Sequence, residues 1–265
     1  LNKALCSTLC FKTTGMQMPL IPTSLSHLKR QQRRQKFQLA KKQRIPKLNF
    51  LQWCEVNKMA LLDESIDYIP LETGFDDPVY ESQIVFRKIL KVMSEPGTIK
   101  KIKNKLSAPA PMTKATAAVC LTLMDFQTKV WMDLPRDSEA SKYLKFHTGL
   151  KLVEDSSEAD FLIFFSAPDE FPPLNLGTDE NPETAATVII QTQSLDDTGK
   201  LKLTGPGIKK SRFLNAESIP TSLWDHRGKA NSLFPKGIDI ILTSNKQLSA
   251  LPRTTKIKMI KTEKG

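Results

Sequence analysis

Asp160-Phe161-Leu162-Ile163-Phe164-Phe165 decides the fold class of this chain. Five apolar residues in succession leave no polar face for water, so a strand here must be covered on both sides. Ala186–Gln193, centred on Val188, Ile189 and Ile190, repeats the pattern, and Gly237-Ile238-Asp239-Ile240-Ile241-Leu242-Thr243 repeats it again. Doubly covered strands interleaved with helical segments predict an α/β layered sandwich in one domain.

Working outward, the helices come next. In Phe86-Arg87-Lys88-Ile89-Leu90-Lys91-Val92-Met93-Ser94-Glu95-Pro96-Gly97, the residues Phe86, Ile89, Leu90 and Met93 stand at i, i+3, i+4 and i+7. That spacing places them on one helical face, which we expect to be buried. Asp77-Pro78 supplies an N-cap and a first-turn proline, and Pro96-Gly97 stops the helix, so it should run over about 77–95. Thr113–Met124 is rich in small and apolar residues and predicts a second, buried helix. Asp137–His147 predicts a polar third helix with Gly149 as its C-terminal cap. Leu223–Asn231 predicts a fourth.

Shorter strands fill the gaps. Thr98–Lys103 reads as an edge strand or loop, because its isoleucines alternate with lysines. Lys129–Leu134, Leu201–Thr204 and Lys256–Ile260 also read as strands, with Leu248–Thr255 leading into the last. Pro109-Ala110-Pro111 and Pro168–Asn181 read as loops. No internal repeat is present.

The formal charge of +11 is unevenly placed. Of 39 Lys/Arg, 12 lie in residues 1–58 beside a single acid, Glu55, which leaves 27 cations and 27 acids for the remainder. The whole net charge therefore belongs to the first 58 residues. Runs such as Leu28–Lys36 and Lys41–Arg44 could bind nucleic acid or an acidic surface. We read 1–58 instead as a disordered basic extension, with Met59 a natural translation start and 59–265 a single domain. That segment lacks the interleaved aromatics of single-strand binders, so nucleic acid is not the expected partner. Cys6, Cys10 and Cys54 lie in the extension and Cys120 alone in the domain, with no metal-type spacing. No apolar run reaches the length of a membrane span, and no signal-peptide core is found. A reducing, cytoplasmic setting is expected, without membrane or metal.

Candidate site chemistry is sparse. Gly205-Pro206-Gly207 after a strand could offer main-chain N–H groups to an anion, although Pro206 removes one donor and a plain turn explains it as well. Arg253-Thr254-Thr255 could clamp a phosphate or carboxylate, or anchor a subunit interface. Asp239, inside an apolar strand, must satisfy loop N–H groups or pair with a basic residue. His147 could act as a general base, but a hydrogen-bonding histidine at a helix end is the simpler reading. Cys120 reads as an inert core thiol. No residue can be assigned to catalysis. The ligand-binding candidates are Arg253, Thr254, Gly205, Gly207, His147 and Arg87.

Taken in order, several of these stretches resemble one family. Phe86-Arg87 with Met93–Gly97, Leu121–Asp125, Phe146-His147-Thr148, Leu203–Ile208, Phe234–Asp239 and Leu251–Thr255 together resemble the H subunit of bacterial carbon–phosphorus lyase. The likeness spans about Asp76–Met259, and residues 1–58 have no counterpart in it. It implies a three-layer α/β/α sandwich with a mixed sheet, similar to the large domain of pyridoxal-phosphate-dependent transferases but without the cofactor. It implies a place in phosphonate catabolism beside the G, I and J subunits, and a homodimer. There the H protein supports formation of α-D-ribose 1-methylphosphonate 5-triphosphate from ATP and methylphosphonate, while carbon–phosphorus cleavage belongs to the J subunit. The expected role is structural within an enzyme complex. The alternatives are a self-sufficient pyridoxal-phosphate-type transferase and nucleic-acid binding through the basic extension.

Overall fold

The computed structural model describes residues 72–260. The basic extension, the proposed start at Met59 and most of the lead-in to the domain lie outside the described residues. In chain order the elements are α1 (Pro78–Ser94), β1 (Lys100–Lys101), α2 (Lys114–Leu123), β2 (Lys129–Met132), α3 (Glu139–Thr148) and β3 (Lys151–Leu152). They continue with β4 (Phe161–Phe164), β5 (Thr187–Gln191), β6 (Leu195–Thr204), β7 (Arg212–Ala216), α4 (Thr221–Asn231), β8 (Asp239–Ser244), β9 (Gln247–Leu251) and β10 (Lys256–Met259).

Seven strands form a mixed sheet in the order β1-β9-β8-β5-β4-β2-β3. Strands β8, β5, β4, β2 and β3 pair in parallel, while β9 runs against both β8 and β1. Register stacks like residues across the middle: Ile163 faces Ile189, which faces Ile241. Successive side chains alternate between faces. Ile163, Ile189 and Ile241 enter one core with α1, α2 and α3, and Leu162, Phe164, Val188, Ile190, Ile240 and Leu242 enter a second on the opposite side. Both edge strands are only two residues long, Lys100–Lys101 and Lys151–Leu152.

The second face departs from the expected helical layer. It is covered by a three-stranded antiparallel sheet, β10-β6-β7, together with α4. Leu201, Leu203 and Leu214 give this small sheet one apolar face, and that face packs where helices were expected. Three strands were not anticipated from sequence: the short β3, β7, and β9, which the reading treated as a lead-in to β10.

The first helix forms as its caps dictate. Asp77 Oδ1 accepts from the Tyr80 N–H at 3.0 Å, and Pro78 opens the first turn. Its buried stripe, however, is Val85, Ile89 and Val92, not the set centred on Phe86 and Leu90, which are 43% and 51% exposed. Apolar residues occupy more than half of this helix, so periodicity alone allowed two stripes. Packing against α2 and β9 selects the β-branched one. The helix ends at Ser94 with Glu95 as its C-cap, and Gly97, with a φ of +75° and its N–H on Ala250 O (3.1 Å), turns the chain into β1. Arg212 of β7 closes that end, donating from Nη1 to Glu95 O at 2.9 Å, Pro96 O at 2.7 Å and Thr98 Oγ1 at 2.6 Å. A cation there also meets the negative end of the helix dipole.

A buried polar network fixes α2 over the carboxyl ends of β5 and β8. Gln191 Oε1 accepts from Thr113 N–H (2.8 Å) and Thr116 Oγ1 (2.9 Å), and Gln191 Nε2 donates to Pro111 O (2.8 Å). Thr116 Oγ1 also lies 2.8 Å from Thr243 Oγ1. The third helix has Ser138 as its N-cap and Gly149, at φ +74°, as its C-cap. No described helix is long and apolar enough to cross a membrane.

Candidate functional site

A cleft of about 480 Å³ opens between α4 and the segment 251–257, with Pro206 at its edge. Its inner wall comes from α4, where Leu223, Arg227 and Asn231 recur every four residues and share one face. Leu223 is buried in the second core and so turns Arg227 inward, leaving it 2% exposed. Arg227 donates from Nη1 to Thr255 O at 3.1 Å and from Nη2 to Leu251 O at 3.3 Å and Pro252 O at 2.7 Å. Asn231 Oδ1 accepts from Ile238 N–H at 2.9 Å, and its Nδ2 donates to Arg253 O at 3.2 Å. These contacts hold the 251–255 turn against α4.

Arg253 and Asp239 meet as a partly buried ion pair at 2.8 Å. Asp239 Oδ1 also accepts the Arg253 N–H at 2.6 Å, and Arg253 Nη1 donates to Pro182 O at 2.6 Å. Both anticipated fates of Asp239, a loop N–H and a basic partner, are thus met by the same residue. Burial pulls the Arg227 guanidinium down to about 10, against the opposing pull of the Asp239 carboxylate. It remains a cation at neutral pH.

The sequence candidates divide by position. Arg253 and Thr254 line this cleft, and Gly205, outside the lining, packs on Thr254: a Cβ there would stand 2.9 Å from Thr254 O. Gly207 turns away from it, where a Cβ would collide with Ser94 O at the end of α1. Close backbone approach therefore accounts for both glycines. His147 sits apart on α3, its Nε2 3.1 Å from Glu72 O and its ring against Tyr143 and Phe146. Arg87 is exposed on α1.

Most of the cleft lining was not anticipated, Trp224, Arg227, Gly228 and Lys256 among it. The signal was present in Leu223–Asn231, where an arginine stands four residues after a leucine and a glycine interrupts the helix. A Cβ on Gly228 would meet nothing within 4 Å.

A second hollow, of about 350 Å³, lies at the carboxyl ends of the parallel strands, where Phe165, Ser166, Gln191, Thr192 and Asn245 line it with Thr113. Open α/β sheets usually bind ligands at this edge. A Schiff-base cofactor needs a lysine amine, and none lines this hollow among the described residues. Nor do the described residues gather three His, Cys, Asp or Glu side chains fit to hold a metal ion.

Comparison with known proteins follows the same stretch of chain. The profile of the bacterial phosphonate metabolism protein family (PhnH) matches residues 73–258. A Rhizobium meliloti (strain 1021) protein, alpha-D-ribose 1-methylphosphonate 5-triphosphate synthase subunit PhnH, is 35% identical over 187 residues, covering 69% of this chain and 94% of that protein. A Stutzerimonas stutzeri protein named "Putative C-P lyase subunit protein HtxG" is 40% identical over 84 residues, 32% of this chain and 43% of that protein.

Proposed function

This chain belongs to the PhnH family of bacterial phosphonate metabolism proteins, and from that premise we propose that it serves as a subunit of a carbon–phosphorus lyase complex. Its work there is to support formation of α-D-ribose 1-methylphosphonate 5-triphosphate from ATP and methylphosphonate. It acts mainly by assembly, with the G, I and J subunits as partners and a homodimer as its own state, in the cytoplasm.

The observation that carries this reading, beyond the family, is the outer face of α1. Val79, Tyr80, Phe86 and Leu90 are 82%, 62%, 43% and 51% exposed, and they line the side of the helix turned from the core. Exposed apolar stripes of this kind mark protein–protein contact. The strongest cations of the cleft, by contrast, are engaged in holding backbone. A fold like that of the transferase large domain is consistent with seven strands of which one is reversed.

The test is co-expression of the full chain with tagged G, I and J subunits of the same organism, followed by size-exclusion chromatography. Co-elution is expected, and a Phe86→Ser/Leu90→Ser double variant should elute apart while staying folded. Separation of the unaltered chain from an otherwise assembled complex would overturn the reading.

A further inference from the structure

The open edge of the small sheet faces α4. In the order β10-β6-β7, strand β10 has a neighbour on one side only. It pairs with β6 in antiparallel register, from Lys256 opposite Thr204 to Met259 opposite Leu201. One step beyond, the Ile260 N–H donates to Lys200 O at 2.9 Å, which fixes the residues that exchange hydrogen bonds with β6. Such pairs alternate along an antiparallel ladder, so Lys256, Lys258 and Ile260 bond to β6. Ile257 and Met259 therefore turn their N–H and C=O groups outward. Thr255, two residues before Ile257, shows where outward is: its carbonyl oxygen accepts from Arg227 Nη1 of α4 at 3.1 Å. Beyond that rung, no partner meets the outward groups of Ile257 and Met259 among the described residues.

The space beside these rungs is the cleft of about 480 Å³. Its α4 wall carries Trp224 and Gly228 four residues apart, and a Cβ on Gly228 would meet nothing within 4 Å, so the groove stays open beside β10. Ile257 and Phe234 add apolar surface, Phe234 at 64% exposure. Side chains of β10 alternate between faces: Lys256 and Lys258 are exposed, Ile257 and Met259 half-buried. Lys258 stands opposite Lys202 of β6, an arrangement of like charges that costs stability. No carboxylate lines the cleft, and Lys202, Lys256 and Lys258 have no ion-pair partner among the described residues.

We propose that this groove receives an extended acidic segment of a partner protein, which adds to β10 as a fourth strand of the small sheet. In strand addition, main-chain hydrogen bonds supply affinity, here to Ile257 and Met259, and pockets for alternate side chains supply specificity. Every second residue of the segment falls on the side of Lys256 and Lys258 and is acidic. The residues between fall on the side of Ile257, by Trp224 and Phe234, and are apolar. A second copy of this chain fits less well, since β10 against β10 sets lysines beside lysines. The proposal does not rest on the subunit reading, because it concerns the isolated chain and a surface across the larger sheet from α1.

Fluorescence anisotropy on the full chain tests it with a labelled peptide, Glu-Val-Glu-Leu-Glu-Val. The controls are the same peptide with lysine for glutamate, and two acidic forms N-methylated at one or the other set of alternate amides. Saturable binding of the acidic peptide is expected, and none of the lysine peptide. N-methylation of the set that pairs with β10 should weaken binding roughly tenfold or more. The charge is unchanged, so this separates strand addition from plain attraction to the basic residues 1–58. Met259→Pro, which removes an outward N–H and leaves the β6 ladder intact, should weaken it likewise. Lys256→Glu/Lys258→Glu should reverse the preference, so that the lysine peptide binds and the acidic one does not. Lys142→Glu, on α3, should leave binding unchanged. Circular dichroism checks that each variant folds, and if Met259→Pro does not, the N-methylated peptides and the charge reversal decide. Three results would overturn the proposal: no saturable binding at roughly 1 mM peptide, indifference to both N-methylations, or a homodimer that Met259→Pro dissolves, which would give the edge to a second copy.

Discussion

The guanidinium of Arg212 lies 2.7 Å from the carbonyl oxygen of Pro96, joining the small antiparallel sheet to the end of the first helix. The same Nη1 also reaches Glu95 O and Thr98 Oγ1. Replacing Arg212 with Leu leaves these acceptors half-buried and unpaired. Hydrogen bonds from a charged donor are worth about 1.5–3 kcal/mol, so a loss of about 2–3 kcal/mol is expected. Urea denaturation followed by fluorescence measures it, and Arg212→Lys should recover part of the loss.

The polar network around Gln191 gives a second expectation. Gln191→Leu removes the acceptor for Thr113 N–H and Thr116 Oγ1 and strands Pro111 O. The cost should be about 2–3 kcal/mol, read as a lower urea midpoint. Thr116→Val keeps the volume and should cost less.

The two faces of α1 should respond oppositely. Val92 is fully buried, and Val92→Ala should cost about 2 kcal/mol through lost burial and the cavity left behind. Phe86→Ser should change the stability of the isolated chain by no more than about 0.5 kcal/mol. Equal losses at both positions would refute the assignment of the buried stripe to Val85, Ile89 and Val92.

Gly228 reverses the usual sign. Glycine in a helix interior costs about 0.5–1 kcal/mol relative to alanine. Gly228→Ala therefore should raise stability by that amount, since its Cβ clashes with nothing. A drop in the thermal midpoint would show that the position is crowded.

Cys120 supplies a pH dependence. Burial pushes its thiol up to about 12, whereas an unfolded cysteine ionises near 8.5. The folded state favours the neutral thiol, so this contribution is intact below about pH 8.5 and is lost as pH rises toward 12. The slope is up to about 1.4 kcal/mol per pH unit. Tyr143, pushed up to about 12 by burial first, acts in the same direction. Stability measured from pH 8 to 11 should fall, and Cys120→Ala should flatten the curve. At pH 8, iodoacetamide should leave the native Cys120 peptide unlabelled and modify it in urea.

The legible parts of this fold are those whose residues fix their own surroundings. Phe161–Phe164 and Ile240–Leu242 have no polar face, so they declare a buried sheet wherever they sit. Asp77, Ser138 and Gly149 declare helix ends because each satisfies local backbone groups. β7 escaped notice because Arg212, Phe213 and Asn215 alternate with few apolar neighbours and acquire meaning only beside β6. β9 was obscured by Ser249, which sits in the core side by side with Leu242. At the site, Asp239 betrayed itself as a lone carboxylate in an apolar strand. Arg227 did not, since an arginine in a polar helix reads as solvated until the turn at 251–255 is laid over it.

Both borders of the seven-stranded sheet are blunt, two residues each, and three of those four residues are lysines. A neighbouring chain that tried to zip onto the sheet would find almost no free main-chain rungs and a row of ammonium groups in its way. Growth of this larger sheet by strand addition is therefore disfavoured at both of its borders. A chain that pairs through main-chain groups would have to use the longer edges of the small sheet, β7 or β10.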